Sequence, residues 1–184
     1  MHCHTMRNRV QWALIAIALT LSGCAGMAPK NAEEYRQATR DGLKYGMGSI
    51  GVSIESFEVE RPFREVSSTL QRKADECLKV AIRWTATNQY GNTRSGVHTY
   101  KPTFVNGSSR AELHVQRLRT GGGDIDANPP PGGYYKAVLD ATPVGKNRTK
   151  IEIYTQSVDE ALLRKAMRGW AQGSNLGCPD LGKR

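Results

Sequence analysis

The apolar positions of the chain follow a strand period first and a helical period next. Residues 52–60 alternate in a way that predicts a strand, and the phase of the alternation changes between Ile54 and Phe57, which predicts a bulge or a bend. Residues 62–78 then carry apolar side chains at helical spacing, and Pro62 suits a first helical turn. We therefore expect one strand followed by one helix that ends near Leu78.

Between residues 80 and 155 the chain alternates in a series of short segments. Five segments carry one apolar and one polar face, which is typical of antiparallel strands: 80–84, 97–105, 110–118, 134–141 and 149–155. Asn106-Gly107 and the segment 143–147 have the composition of hairpin turns. Ser157-Val158-Asp159-Glu160 matches a capping box and predicts a final helix with Trp170 on its apolar face.

This order of strand, helix, strands and helix predicts an α+β domain. We expect an antiparallel sheet of about five to six strands with two helices packed on one face. The order is similar to that of helix-grip domains, in which a curved antiparallel sheet wraps a C-terminal helix. The resemblance concerns the architecture alone.

The N-terminal segment has the parts of an export signal. Arg7 and Arg9 precede the apolar stretch 12–21, which is too short for a membrane-spanning helix. The stretch ends in Leu21-Ser22-Gly23-Cys24, which resembles the lipobox of bacterial lipoproteins. An ordinary secretory signal and an uncleaved N-terminal anchor are the alternatives.

The lipobox resemblance implies a location and a division of the chain. Cys24 would be acylated, residues 1–23 would be removed as a signal peptide, 24–49 would form a lipidated tether, and 50–184 would form a single domain. Within the tether, a short helix from Asn31 to Arg40 is possible, because Asn31 can cap it and Glu33 and Glu34 suit its first turn. Ala25 occupies the position where an aspartate marks retention in the inner membrane. The resemblance therefore implies a protein anchored in the outer membrane with its domain facing the periplasm.

The cysteines that remain after export form one pair. Cys3 lies in the removed segment and Cys24 would carry lipid, which leaves Cys77 and Cys178. An even pair in an oxidising compartment predicts a disulfide bond. The alternative is a redox-active or catalytic thiol, although the chain contains no CxxC pattern.

The net charge of +9 bears on partners. Export makes nucleic acid an unlikely partner, so we expect contacts with the membrane through the lipid anchor and with an envelope protein or an anionic lipid. A solvated basic surface without a partner is the simpler alternative.

The segment 121–133 is rich in Gly and Pro and predicts a long loop. Asp124, Asp126 and Asn128 copy the first three ligand spacings of a calcium loop, but Pro129 and Tyr135 occupy the places of its Gly and its bidentate Glu. We therefore expect no metal site and treat the three residues as a candidate interaction loop. His98 and His114 also lack ligand partners at metal-binding spacing.

No catalytic motif identifies an enzyme, and no cofactor motif occurs in its structural context. We expect a non-catalytic envelope binding or assembly component that is anchored in the outer membrane. The alternative is a carrier that holds an apolar ligand or lipid between sheet and helix. In that case the lining residues would be Phe57, Trp84, Leu139 and Trp170.

Overall fold

Six strands form one antiparallel sheet in the computed structural model, which describes residues 28–121 and 129–182. The strands lie in the order β1-β6-β5-β4-β3-β2. Their bounds are β1 Val52–Val59, β2 Ala81–Thr87, β3 Thr93–Asn106, β4 Ala111–Gly121, β5 Tyr134–Val144 and β6 Arg148–Gln156. The antiparallel α+β prediction is therefore confirmed.

Strands β2 to β6 follow one another as a meander, and β1 closes the order beside β6. The predicted hairpin turns are found between β3 and β4 and between β5 and β6. In the first turn the Gly107 amide donates to the Arg110 carbonyl at 2.9 Å. Short turns of this kind place consecutive strands side by side, which explains the meander.

The predicted bulge in β1 is wrong. The pairing with β6 runs unbroken from Val52 opposite Gln156 to Val59 opposite Thr149. Ile54 packs on one face of the sheet and Phe57 packs on the other. Both faces of β1 are covered, so apolar residues can occur on either face without a bulge. The bulge lies instead in β5, where the register against β4 shifts at Lys136.

Two helices cover one face of the sheet: α2 Phe63–Cys77 and α3 Ala161–Ala171. Their apolar faces meet the sheet in a filled core whose fully buried side chains include Leu70, Leu113, Leu139, Ile153, Met167 and Trp170. Arg61 donates from Nη1 to the Ala171 carbonyl at 3.0 Å, which satisfies the C-terminal end of α3. These helices correspond to the two predicted from the sequence.

The prediction of two helices on the sheet is incomplete, because the described residues contain three. A third helix, α1 Ala32–Lys44, lies within the segment predicted as a tether and packs on the opposite face of the sheet. Asn31 caps it by accepting from the Glu34 amide at 2.9 Å. Ala32 and Tyr35 are buried against Val138 and Tyr154. The ordered domain therefore begins before residue 50.

The capping box at Ser157 forms only in part. The Ser157 hydroxyl accepts from the Asp159 amide at 3.2 Å, and a short 3₁₀ turn, Val158–Glu160, precedes α3. The Glu160 carboxylate pairs with Lys136 Nζ at 2.7 Å instead of returning to the Ser157 amide. The ion pair of Glu160 with Lys136, the residue at the β5 bulge, therefore takes the place of a hydrogen bond from the Ser157 amide to Glu160.

The cysteine pair predicted from the sequence is placed in disulfide-compatible geometry. Sγ of Cys77 and Sγ of Cys178 lie 2.09 Å apart, and the two Cα atoms lie 4.9 Å apart. Cys77 ends α2, and Cys178 lies in the segment that follows α3. The bond therefore joins the C-terminal segment to the helical layer.

Candidate functional site

A pocket of about 660 Å³ opens at the end of the sheet where β3 begins and β4 ends. One wall is the helix-bearing face of β2, β3 and β4, and the other is the turn that leads into α3 together with the C-terminal segment. The side chains that define its chemistry are Trp84, His98, Tyr100, Arg117, Arg119, Asp159 and Glu160.

An aromatic and cationic stack forms the sheet wall. The guanidinium carbon of Arg119 lies 4.5 Å from the ring centroid of Trp84, and the His98 ring stacks on the same indole at 5.8 Å. Gly96 is required for this arrangement, because a Cβ there would lie 2.9 Å from Trp84 Nε1. The Trp84 indole N–H is buried without a hydrogen-bond partner among the described residues.

The centre of the pocket holds groups of both charges. Arg117 forms a hydrogen bond with the Tyr100 hydroxyl, and burial raises the pKa of Tyr100 even though Arg117 opposes that shift. The buried Glu160 carboxylate is paired with Lys136 from outside the lining. Arg117 and Arg119 project from the inward face of β4, and the acidic lining residues are Asp159 and Glu160.

The C-terminal segment completes the pocket. Leu181 and Gly182 line it, and they follow Cys178 by only a few residues. Trp170 Nε1 donates to the Leu176 carbonyl at 3.2 Å, and Gly169 lets the segment approach α3, since a Cβ there would meet the Leu176 side chain at 2.1 Å. The disulfide thus fixes a segment that forms part of the pocket wall.

The four residues predicted to line an apolar cavity do not share one. Leu139 and Trp170 are fully buried in the core, and Phe57 packs against that core. Of the four, Trp84 alone lines the pocket. The space between the sheet and its two helices is therefore occupied by side chains where these residues meet.

A second cluster of charges lies under α1 on the opposite face. Arg36 donates from Nε and Nη2 to the two oxygens of Asp140 at 2.9 and 2.7 Å, and it also contacts Glu112. Arg110 Nη2 reaches Asp140 at 2.9 Å, and His114 Nε2 lies 2.9 Å from Glu112. This set is called the Arg36 network below.

Most groups of the Arg36 network are paired within it, although Arg110 Nε is buried without a hydrogen-bond partner among the described residues. Burial alone would lower the pKa of Arg36, but hydrogen bonds to Asp140 and Glu112 raise it above its ordinary value. Burial likewise acts to raise the pKa of Glu112, but hydrogen bonds with His114 and Arg36 hold it below its ordinary range. Paired buried charges of this kind fix the position of α1 on the sheet.

The candidate interaction loop and the lipidation site fall outside the described part of the chain. Cys24, Asp124, Asp126 and Asn128 lie in the ranges 1–27 and 122–128. Within the described ranges, no group of three His, Cys, Asp or Glu side chains could hold a metal ion. The end of the loop is fixed by Gln116, whose amide donates to the Pro131 and Gly133 carbonyls at 2.9 and 3.0 Å.

Sequence reasoning missed the arginines of the pocket, although β4 contains a signal for them. Leu113 and Val115 face the helices, and Arg117 and Arg119 continue on the same face of the strand. A change from apolar to cationic residues on an inward face predicts that the core ends there and a polar cavity begins. By contrast, the sequence contains no such signal for Asp159 or Lys136, because tertiary packing alone places Asp159 at the pocket and Lys136 beside Glu160.

No protein-family model matches the chain, and no curated protein matches it. Among solved structures, the crystal structure of protein Ms6760 from Mycobacterium smegmatis aligns with a TM-score of 0.27 and 14% sequence identity. The alignment covers 65% of this chain and 87% of that chain. A similarity of this size carries no argument about fold or function.

Within residues 28–121 and 129–182, no helix has both the length and the apolar character that a membrane span requires.

Proposed function

We propose that this protein is a non-catalytic binding component of the bacterial envelope, anchored in the outer membrane by lipid on Cys24. The pocket beside Trp84 is its binding site, and the domain faces the periplasm. The lipobox-like run Leu21-Ser22-Gly23-Cys24 and the disulfide-compatible pair Cys77 and Cys178 support export to an oxidising compartment.

The observation that carries the binding role is a pair of arginines beside an aromatic stack in a concave site. Arg117 and Arg119 stand on the sheet wall of a pocket of about 660 Å³, beside the Trp84 and His98 rings. A cavity of this size suits a small molecule or a short peptide segment. Guanidinium groups recognise carboxylates and phosphates through directed donors, so the ligand carries an anionic group.

The filled core favours this polar site over the apolar carrier. An apolar ligand between the sheet and α3 would have to displace Trp170 or Met167, both of which are fully buried. Displacement of side chains from a close-packed core costs several kcal/mol, about what a large-to-small core substitution costs. The pocket beside Trp84 needs no such displacement, because it is already open to solvent at its mouth.

Thermal unfolding with small-molecule probes tests the ligand class. A ligand that binds only the folded state raises the unfolding midpoint. We expect at least one anionic probe among citrate, glutamate and inorganic phosphate to raise the unfolding midpoint. Spermidine and glucose should leave the midpoint unchanged. The shift should be lost in Arg117→Gln and kept in Arg148→Gln, which alters an exposed arginine paired with Glu58.

Two outcomes would contradict the proposed ligand class. One is a set of anionic probes with no more effect than the neutral and cationic probes. The other is a shift of the same size in Arg117→Gln and in the unaltered chain, which would place the anion elsewhere on the basic surface.

A further inference from the structure

Five exposed apolar side chains meet at the junction of α1, β1 and the turn before α3. Their exposed fractions are Leu43 37%, Tyr45 77%, Met47 45%, Ile50 60% and Val158 62%. They are called the apolar patch below. Isolated exposed apolar residues are ordinary on a protein surface, but a contiguous group of large ones marks a contact surface.

The patch is contiguous although its members come from three elements. A Cβ on Gly51 would lie 2.1 Å from the Val158 amide nitrogen, so Ile50 and Val158 belong to adjoining stretches of backbone. A Cβ on Gly42 would lie 3.5 Å from Met47 Sδ, and one on Gly48 would lie 3.8 Å from Leu43. The segment after α1 is thus held against the start of α3, and its apolar side chains point away from the core.

We propose that the apolar patch is a second membrane contact that lies on the same bilayer as the lipid of Cys24. This inference rests on the lipid anchor of the proposed function. It differs from the expectation that all of 24–49 is a tether, because α1 begins only eight residues after Cys24.

The length of the intervening chain permits this contact. Eight extended residues span at most about 28 Å. Helix α1 is about 20 Å long, since each of its 13 residues adds about 1.5 Å. The lipid on Cys24 can therefore lie in the same membrane plane as the patch at the far end of α1.

The composition of the patch and its surroundings suits a membrane interface. Tyr45 combines an apolar ring with a polar hydroxyl, and such side chains favour the headgroup region. Arg40 and Lys44 are exposed beside the patch, but Arg40 pairs with Glu33. The exposed Asp159 adjoins Val158, so groups of both charges border the patch. Because the anchor confines the patch near the bilayer, a weak contact is enough to orient the domain.

Fluorescence quenching by brominated lipid measures this contact. The mature lipidated protein is placed in vesicles of phosphatidylethanolamine and phosphatidylglycerol that contain dibrominated phosphatidylcholine. Ile50→Trp introduces a reporter into the patch. Val105→Trp is the matched control, because Val105 is 48% exposed and lies four strands away, next to the β3–β4 turn.

We expect the added fluorescence of Ile50→Trp to be quenched at least twofold more than that of Val105→Trp, after subtraction of the signal from Trp84 and Trp170. Equal quenching in the two variants, with acyl chains found on Cys24 by intact mass, overturns the patch contact and leaves the anchor standing. Absence of acyl mass on Cys24 overturns both the anchor and the contact that rests on it.

Discussion

Arg36 on α1 and Asp140 on β5 form a two-pronged ion pair across 104 residues of sequence. Both side chains are almost completely buried. A paired guanidinium and carboxylate with two parallel hydrogen bonds fix both distance and orientation. This pair therefore sets the place of α1 on the sheet, and with it the place of the apolar patch at the end of that helix.

Replacement of Arg36 by Met should destabilise the domain strongly. The buried Asp140 would keep only Arg110, and removal of one partner from a buried pair costs about 3 kcal/mol or more. Arg40→Met is the control. The Arg40 side chain is 45% exposed, so its replacement should lower the free energy of unfolding by less than about 1 kcal/mol. Urea unfolding followed by circular dichroism measures both, and similar losses in the two variants would refute a structural role for the Arg36 network.

Glu112 should make the stability of the domain sensitive to acid. Its pKa is lowered in the folded state, where hydrogen bonds with His114 and Arg36 outweigh the opposite effect of burial. Its contribution is thus complete above the unfolded-state pKa of about 4.3 and is lost as pH falls through the lower folded-state value.

The pH dependence of Glu112→Gln checks this sign. Its free energy of unfolding should fall below that of the unaltered chain at pH 7, and the difference should shrink as pH is lowered below about 4. Glu58→Gln, which alters an exposed pair with Arg148, should change stability by less than about 1 kcal/mol at pH 7. A difference for Glu112→Gln that grows on acidification would contradict the account.

The architecture was predictable where one face of an element is apolar and the other polar. The spacing of Val66, Leu70 and Ala74 indicates α2, and the alternation of Leu113 and Val115 indicates β4. The cap and first turn of α1 were recognisable from the sequence, but its packing on the sheet was not, since its inward face carries Tyr35, Arg36 and Thr39, two of which are polar. Such a face becomes buried only because Asp140 and Gln156 supply partners from distant strands.

The same limit applies to the pocket. Trp84 could be identified as a ligand-facing candidate from its place on an alternating strand, but its stack with Arg119 depends on the pairing of β2 and β4 with β3. Long-range partners of this kind leave no local periodicity. The cysteine pair was predictable because the expected lipobox sets Cys3 and Cys24 aside, which leaves Cys77 and Cys178.

Loss of the disulfide should weaken both the fold and the pocket. Cys178→Ser should lower the free energy of unfolding by about 2 to 5 kcal/mol, because the bond closes a long loop in the unfolded chain. It should also weaken binding of any anionic probe, since Leu181 and Gly182 would no longer be held at the pocket wall. Free thiols detected in protein from the native envelope would rule out the bond.

The anchor makes a separate prediction. Cys24→Ser should abolish lipidation and release the chain from membranes, because the apolar patch alone is too small for stable attachment. Fractionation after salt and carbonate washing measures the outcome, with Ser22→Ala as a control that keeps the cysteine. Retention of Cys24→Ser on the membrane after these washes would contradict the lipid anchor.

Native mass spectrometry of the protein extracted from envelopes tests the binding role most directly. We predict a fraction of the protein with additional noncovalent mass from an anionic ligand, and loss of that mass when Arg117→Gln and Arg119→Gln are combined. Arg148→Gln should retain it. Extraction of the protein without any bound species, or with the same species in the double variant, would contradict the assignment of the pocket beside Trp84 as the binding site.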